Sequence, residues 1–368
     1  MHKFNRIKAI VFRVDASIII GSGHVMRCLT LADQIYQHGM EVYFICRSMP
    51  GNMCDLIQDK GYKVYQLSYN ELSLDHTADG GTICPRGDWQ ADTTQMVDIL
   101  NEINTTHIIK WLIVDHYELD KKWEQQMRMF VDKIMVIDDL ADRQHDCDLL
   151  LDQNLYMDMN TRYTGLIPQG CQLLLGPEYA LLRQEFYDVK QEARIRGNTV
   201  RRILIFFGGS DPTNETAKAL HALQLLNRKD IFVDVIVGKI NIYKAQIRKI
   251  CATMPNTTFY CQVNNMAILM NEADLAIGAG GSTTWERAFL GLPALIITIA
   301  ENQIETTEAV AKMGAIVNLG WYEAVSSKDI YENLLNLFGF SEKITNMSKK
   351  SFSLSSKGCC MSVIKHLK

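Results

Sequence analysis

Residues 10–32, IVFRVDASIIIGSGHVMRCLTLA, decide how the chain folds. Ile10, Val11 and Phe12 are apolar and β-prone, so a strand opens the stretch, and Arg13 and Asp15 put charge at its carboxyl end. Gly21 and Gly23 bracket Ser22 and permit a tight turn with close approach of the backbone. Val25, Met26, Leu29, Ala32 and Ile35 then recur at helical spacing, and Gly39 stops the helix. Strand, glycine turn and helix make the first part of a βαβ unit, the building block of a parallel sheet. In such a sheet the strand carboxyl ends and helix amino ends form the ligand crevice, and free helix N–H groups there suit an anion. His24 stands at that helix start. The helix dipole disfavours an imidazolium there by roughly 0.3–1 kcal/mol, whereas a carboxylate such as Asp15, if close, favours it. A histidine between two such influences suits general-base work. A plain strand-to-helix turn capped by a histidine is the other reading of the same residues.

The whole chain sets the bounds. Its 368 residues, 47% of them hydrophobic, are enough for two domains with separate cores. Charged residues at 22% argue against global disorder. A net charge of −4 with nine histidines offers no electrostatic footprint for nucleic acid or an anionic membrane, so an anionic ligand has to be held locally. Ten cysteines occur without a CxxC pair, several of them, such as Cys28, Cys46 and Cys261, inside apolar patterns, and they read as reduced thiols of a cytoplasmic protein. MHKFNRIKAI lacks the apolar core of a secretory signal, and no apolar run reaches the length of a membrane span.

Taken in order, strands are expected at 41–46 and 63–67 with a short helix at 53–60 between them. Residues 68–92 are polar, with a Gly-Gly pair and a proline, and read as a long loop, either a lid or binding loop or a disordered insertion. Helices at 96–103 and 119–130 then alternate with strands at 111–115 and 133–137. Asp115-His116-Tyr117 follows the first of these strands and Asp138-Asp139 the second, where carboxylates can orient a substrate or simply cap a turn. Short strands at 149–151, followed by Asp152-Gln153-Asn154, and at 172–175 precede a charged segment at 184–202 that fits a helix leading into a linker. The domain boundary is expected there, dividing the chain into residues 1–195 and 196–368.

The second half restarts the alternation. A strand at 203–207 ends in Gly208-Gly209-Ser210-Asp211, a helix follows at 213–226, and a strand at 231–237, a helix at 243–251 and an apolar turn near Phe259 continue it. Residues 273–293, ADLAIGAGGSTTWERAFLGLP, then run a strand into Gly278, Gly280 and Gly281, the hydroxyls of Ser282, Thr283 and Thr284, and a helix bearing Glu286. Glycines that let the backbone approach, added hydroxyl donors and a helix amino end make a diphosphate cradle without a P-loop lysine. Glu286 can accept from ribose hydroxyls or merely complement the helix dipole. After a strand at 293–299, Ala300-Glu301-Asn302-Gln303 opens another helix on the crevice side, with capping an equal explanation for Asn302. The remainder reads as helices, and Cys359-Cys360 gives no metal signature.

Together these motifs carry a resemblance. FRVDASIIIGSGHVMRCLTLA (12–32) resembles the opening signature of the UDP-2,4-diacetamido-2,4,6-trideoxy-β-L-altropyranose hydrolases of pseudaminic acid biosynthesis. GAGGSTTWE (278–286) followed by AENQ (300–303) resembles the nucleotide-binding half of that family, with VDHY (114–117), IDDLADR (137–143), DQN (152–154) and FFGGSD (206–211) in the expected order between them. The resemblance implies an α/β GT-B fold, two Rossmann-like doubly wound domains with the active site in the interdomain cleft, and kinship with the glycosyltransferase that adds N-acetylglucosamine to lipid I. It also implies hydrolysis at the anomeric carbon with inversion and release of UDP, needing no metal and no cofactor. The first domain would then carry the catalytic histidine and sugar site, and the second would bind UDP.

The chemistry of such a reaction assigns roles. A nucleoside diphosphate is a good leaving group, so the needs are a positioned water, a base on the opposite sugar face and donors for the departing phosphate. His24 is the expected base, Asp15 orients it or contacts the sugar, and Tyr117 and Asn302 touch sugar or water. Gly280, Gly281, Ser282 and Thr283 would hold the phosphates and Glu286 the ribose, with Arg13, Gly21, Gly23, Gly208, Gly209 and Gln303 completing the substrate and nucleotide contacts. The expected partner is a small-molecule UDP-sugar, with neither nucleic acid nor membrane, and a monomer is favoured. A GT-B glycosyltransferase with a UDP-sugar donor, or a non-catalytic nucleotide-sugar binding protein, are the alternatives.

Overall fold

The computed structural model describes residues 6–18, 20–69, 89–197, 199–355 and 360–368. Residues 70–88, most of the loop expected at 68–92, lie outside these, as do 1–5 and Cys359. The chain divides into two compact units. The first runs to Gln153 and includes Asp158–Leu181 and the C-terminal helix; the second comprises Asn154–Met157 and Leu182–Gly358.

The first unit alternates β1 (Ile7–Val14), α1 (Gly23–Gln37), β2 (Glu41–Arg47), α2 (Cys54–Asp59), β3 (Lys63–Leu67), α3 (Trp89–Asn104), β4 (His107–Asp115), α4 (Lys121–Met127), β5 (Lys133–Ile137), β6 (Leu149–Asp152) and β7 (Gln172–Leu175). All pair in parallel in the order β3-β2-β1-β4-β5-β6-β7. Alternation along β1 explains why the sheet is covered twice. Ile10, Phe12 and Val14 pack with Val25, Leu29, Ala32 and Ile35 of α1. Val11 on the opposite face packs with Met96 and Leu100 of α3 and Trp123 of α4. A parallel strand buried on both faces has to be apolar almost throughout, as the opening stretch is.

The second unit contains α5 (Gln184–Val189), β8 (Arg202–Phe206), α6 (Glu215–Leu226), β9 (Phe232–Val237), α7 (Lys244–Ala252), β10 (Thr257–Cys261), α8 (Met266–Glu272), β11 (Leu275–Ala279), α9 (Thr283–Phe289), β12 (Ala294–Thr298), α10 (Ile304–Lys312), β13 (Ile316–Trp321), α11 (Ser327–Gly339) and α12 (Ser341–Leu354). Its six strands follow the order β10-β9-β8-β11-β12-β13, again all parallel. The last described helix is α13 (Cys360–Leu367).

Several expectations change. The apolar turn near Phe259 is the edge strand β10, and the all-helical tail contains β13, which pairs with β12 from Ala294↔Ile316 onward. Edge strands are half-buried and carry polar residues such as Thr257 and Asn318, which weakens their apolar signal. Helix α3 begins at Trp89 rather than 96. The boundary falls at Leu181–Leu182 rather than 195–196, because α5 and the segment after it pack into the second unit: Arg183 pairs with Glu286 and Arg196 donates to the Ala273 and Met270 carbonyls. Nor does the chain's end stay with the second unit. Val363, Ile364 and Leu367 of α13 complete the α1 side of the first core, and the Leu367 carbonyl accepts from Trp111 Nε1 at 3.0 Å.

Candidate functional site

In a parallel sheet a crevice opens where the strand order reverses, since the connections from the two neighbouring strands leave in opposite directions. In the first unit that point lies between β1 and β4. His24 in the first turn of α1 and Asp115, the last residue of β4, meet there, with Nδ1 of the ring 2.5 Å from Oδ1. Arg27, one helical turn after His24, forks onto the same carboxylate, its Nε at 2.6 Å from Oδ2 and its Nη2 at 2.7 Å from Oδ1. Its Nη1 reaches Asp139 Oδ2 at 3.1 Å. The Tyr117 ring stands edge-on to the imidazole, centroids 4.5 Å apart at 86°. Burial works to raise the Asp115 carboxyl, but the Arg27 guanidinium and the His24 ring hold it well below the usual carboxylate range. Burial, then Asp139, push the Tyr117 phenol well up, which keeps it a neutral hydroxyl. With an ionised carboxylate on Nδ1, the proton belongs on that nitrogen, and Nε2 is the one left to accept a proton.

The carboxylate in hydrogen-bond contact with His24 is therefore Asp115, not the Asp15 expected from sequence. Asp15 is claimed by Arg13, whose Nη1 and Nη2 donate to it at 2.6 and 2.9 Å, by the Arg47 amide at 2.6 Å and by His116 Nε2 at 3.1 Å. Glu118 N–H donates to His116 Nδ1, so Nε2 of that ring is its donor to Asp15. Arg13 is wholly buried and also binds Asp92 at 2.7 Å, while Asp92 accepts from Arg47 and Trp123. A guanidinium wholly enclosed between Asp15 and Asp92 does not reach a ligand, in contrast to the substrate contact expected of Arg13. It faces the α3 side of β1, opposite Phe12, for the reason of strand alternation.

Of the two bracketing glycines, Gly21 needs its type: φ is +80° and its N–H closes the turn onto Ser17 C=O at 2.9 Å. Gly23 is exposed, with ordinary φ and nothing within 4 Å of where a β-carbon would sit, so it leaves open space at the helix start rather than a close approach. No side chain caps α1 at Ser22 and no acidic residue occupies its first turn.

The second unit repeats the device between β8 and β11, where its strand order reverses. Gly208 turns the chain after β8 with φ +88°, and the Gly209 carbonyl lies so close to Gly238 that a β-carbon there would come within 2.1 Å. Asp211 caps α6 through the Glu215 and Thr216 amides at 2.9 and 3.0 Å. Beyond β11, Gly280 N–H donates to Gln303 Oε1, which also takes the Ile299 amide, both at 3.2 Å. Gln303 thus ties the ends of β11 and β12 together. Gly281, exposed Ser282 and Thr283 form the α9 entry, and Ser282 makes no capping bond to the helix. Asn302 lies half-buried in the 3-10 turn Glu301–Gln303 ahead of α10. Glu286 gives Oε1 to Arg183 at 2.9 and 3.0 Å, while Oε2 is buried without a hydrogen bond; burial raises its carboxyl against the pull of Arg183. Arg287 props the loop from below, donating to the Ala279 carbonyl and the Thr284 hydroxyl, and burial lowers its guanidinium to about 10.

Arg27 is not marked out by the sequence, and Asp115 and Asp139 stand there only as strand-end carboxylates that can orient a substrate or cap a turn. The available signals were a carboxylate closing a buried strand and an arginine on the core-facing side of α1 between Met26 and Cys28. The DQN motif is structural: Asp152 accepts from Tyr163, Gln153 from the Leu181 amide and Asn154 from Trp285 Nε1. Among the described residues no three His, Cys, Asp or Glu side chains are arranged to hold a metal, and no helix is long and apolar enough to cross a membrane.

Residues 203–360 match the glycosyltransferase family 28 C-terminal domain. The UDP-2,4-diacetamido-2,4,6-trideoxy-beta-L-altropyranose hydrolase of Campylobacter jejuni is 29% identical over 306 residues, covering 83% of this chain and 97% of that protein. An uncharacterized protein of Methanocaldococcus jannaschii is 27% identical over 300 residues, 79% of this chain, which spans only 56% of that protein's length. Among solved structures, Acinetobacter baumannii MurG is similar with a TM-score of 0.65 at 15% identity, over 98% of this chain and 99% of its own, a likeness of fold alone. Two parallel α/β units with these likenesses give the chain a GT-B fold, and residues 203–360 of its second unit are similar to the glycosyltransferase family 28 C-terminal domain.

Proposed function

We propose that the protein is a nucleotide-sugar hydrolase. It releases UDP and 2,4-diacetamido-2,4,6-trideoxy-L-altrose from UDP-2,4-diacetamido-2,4,6-trideoxy-β-L-altropyranose, as a cytoplasmic monomer in pseudaminic acid biosynthesis. The observation that carries this reading is the His24–Asp115 pair at the strand-order reversal of the first unit; similarity to the Campylobacter hydrolase supports this choice of substrate.

In the proposed reaction a water attacks the anomeric carbon from the face opposite the diphosphate and gives its proton to His24 Nε2. The carbon–oxygen bond to the diphosphate breaks, UDP leaves with the electron pair, and the configuration inverts. No general acid is required, because the diphosphate leaves as an anion. The base is worth about 10²- to 10⁴-fold in rate. Gly281, Ser282 and Thr283 offer amide and hydroxyl donors to the phosphates as charge develops, while the Gly280 amide, given to Gln303, holds the loop in place. The free Oε2 of Glu286 accepts from the ribose, and Tyr117 and Asn302 contact sugar or water. No metal is asked to act as Lewis acid.

The test is a proton and phosphorus NMR time course with that UDP-sugar, in chelator and without an acceptor. Prompt release of UDP and free sugar in the inverted configuration is expected. A second reading, a glycosyltransferase with a UDP-sugar donor, draws support from the family 28 domain and the MurG-like fold. It predicts an intact substrate in the same tube until an acceptor is added. Substrate that stays intact with any acceptor would favour a binding protein.

A further inference from the structure

We propose that Asp115 is the positioning residue that fixes the tautomer and orientation of His24, and that Arg27 and Asp139 carry the same constraint round to Tyr117. The inference rests on the reading of His24 as the base. His24 Nδ1 meets Asp115 Oδ1, Arg27 forks across both oxygens of Asp115, Arg27 Nη1 holds Asp139, and Asp139 shares a hydrogen bond with the Tyr117 hydroxyl. Tyr117 closes the ring of contacts by standing edge-on to the imidazole. Five side chains from α1, the end of β4 and the segments after β4 and β5 thus restrain one another.

Asp115 has no freedom left. Its side chain is wholly buried, Oδ1 takes His24 and Arg27, and Oδ2 takes Arg27 and the Cys28 thiol at 3.5 Å. A structural ion pair would be complete with Arg27 alone, so the imidazole contact is additional to what folding needs. The nearer carboxylate in sequence, Asp15, is closed off by Arg13 and His116. Charge points the same way: Asp115, Asp139 and Arg27 sum to one negative charge around a neutral imidazole, and a proton arriving at Nε2 brings the group to neutrality. The carboxylate therefore presents Nε2 as acceptor before reaction and balances the imidazolium after it.

Nitrogen-15 NMR of His24 in the wild-type protein is the direct test: a protonated Nδ1 with a pyridine-like Nε2 is expected, and the reverse assignment overturns the proposal without any variant. Asp115→Asn, nearly isosteric, offers an amide to Nδ1 and should move the proton to Nε2. Its kcat should fall by about 10³- to 10⁴-fold, with KM changed by less than about threefold. If Asp115→Asn hydrolyses normally while His24→Asn is inactive, the positioning role is wrong and the base stands. If His24→Asn hydrolyses normally, the base assignment itself is wrong. Should Asp115→Asn not fold, Tyr117→Phe keeps the ring and removes the link to Asp139; because the hydroxyl is also placed against sugar or water, the readout is the spectrum of the free enzyme, where the Nδ1-protonated tautomer kept but with broadened resonances is expected, and an unchanged spectrum removes Asp139 and Arg27 from the proposal.

Discussion

Between Gly280 and Thr307 there is no room for a β-carbon: one built on Gly280 would lie 2.2 Å from Thr307 Oγ1. Thr307 is buried on α10, and its branched side chain has few rotamers in a helix. Gly280→Ala should therefore destabilise the protein by about 1–3 kcal/mol through overpacking, measured by urea unfolding. Thr307→Ala in the same chain should return much of that loss, a coupling that a double-mutant cycle reads directly.

Gly281 behaves differently. A β-carbon there meets only Gln303 Nε2 at 3.9 Å, so Gly281→Ala should fold with an unchanged melting temperature. On the proposed reading it should still weaken UDP binding by calorimetry, because a methyl stands where a phosphate approaches the backbone. Unchanged UDP affinity would remove this loop from the nucleotide site.

Replacing Glu286 separates a ligand role from a packing role. Its Oε1 belongs to Arg183, and its buried Oε2 has no hydrogen bond. If Oε2 holds ribose hydroxyls, Glu286→Gln should lower UDP affinity by about 10- to 100-fold, the loss of one charge-assisted bond. It should also erase any preference over 2′-deoxy-UDP. Equal effects on both nucleotides would assign Glu286 to packing with Arg183.

His24→Asn should reduce kcat by about 10²- to 10⁴-fold while UDP affinity stays within the wild-type range. The loss should be the same in chelator and in added magnesium, and a rescue by magnesium would contradict the metal-independent mechanism.

The Arg13–Asp15 pair predicts the acid limb of stability. Burial acts to raise the Asp15 carboxyl from its ordinary 3.8, but Arg13 and His116 hold it far below that value. A depressed carboxyl stabilises the fold above its unfolded value, and that contribution is lost as pH falls toward the folded one. Asp115, likewise depressed, acts in the same direction. Stability should therefore decline below about pH 4. Asp15→Asn should cost roughly 3 kcal/mol near neutrality by leaving Arg13 half-paired, and it should flatten the acid limb. Denaturant titrations from about pH 5 to pH 2 would reveal an unflattened limb if Asp15 is not a principal source.

Sequence by itself determined the βαβ alternation, both glycine turns and the place of His24, since hydrophobic period and glycine are local signals that each segment carries alone. Gly39 ending α1 and the run Ile203–Phe207 were legible for the same reason. Edge strands β10 and β13 were not, because a strand half-covered by its sheet needs no continuous apolar run. The tertiary structure alone decided which carboxylate meets His24. Asp15 lies nine residues before His24 and Asp115 ninety-one after it, yet parallel pairing of β1 with β4 brings the distant carboxylate to the ring. Alternation along β1 turns Arg13 to the other face, and Asp15, bound to Arg13, is held away from His24. Only the packed sheet determines which side chains share a crevice, and so only the fold could withdraw Arg13 from the site and bring Asp115, Arg27 and Asp139 into it.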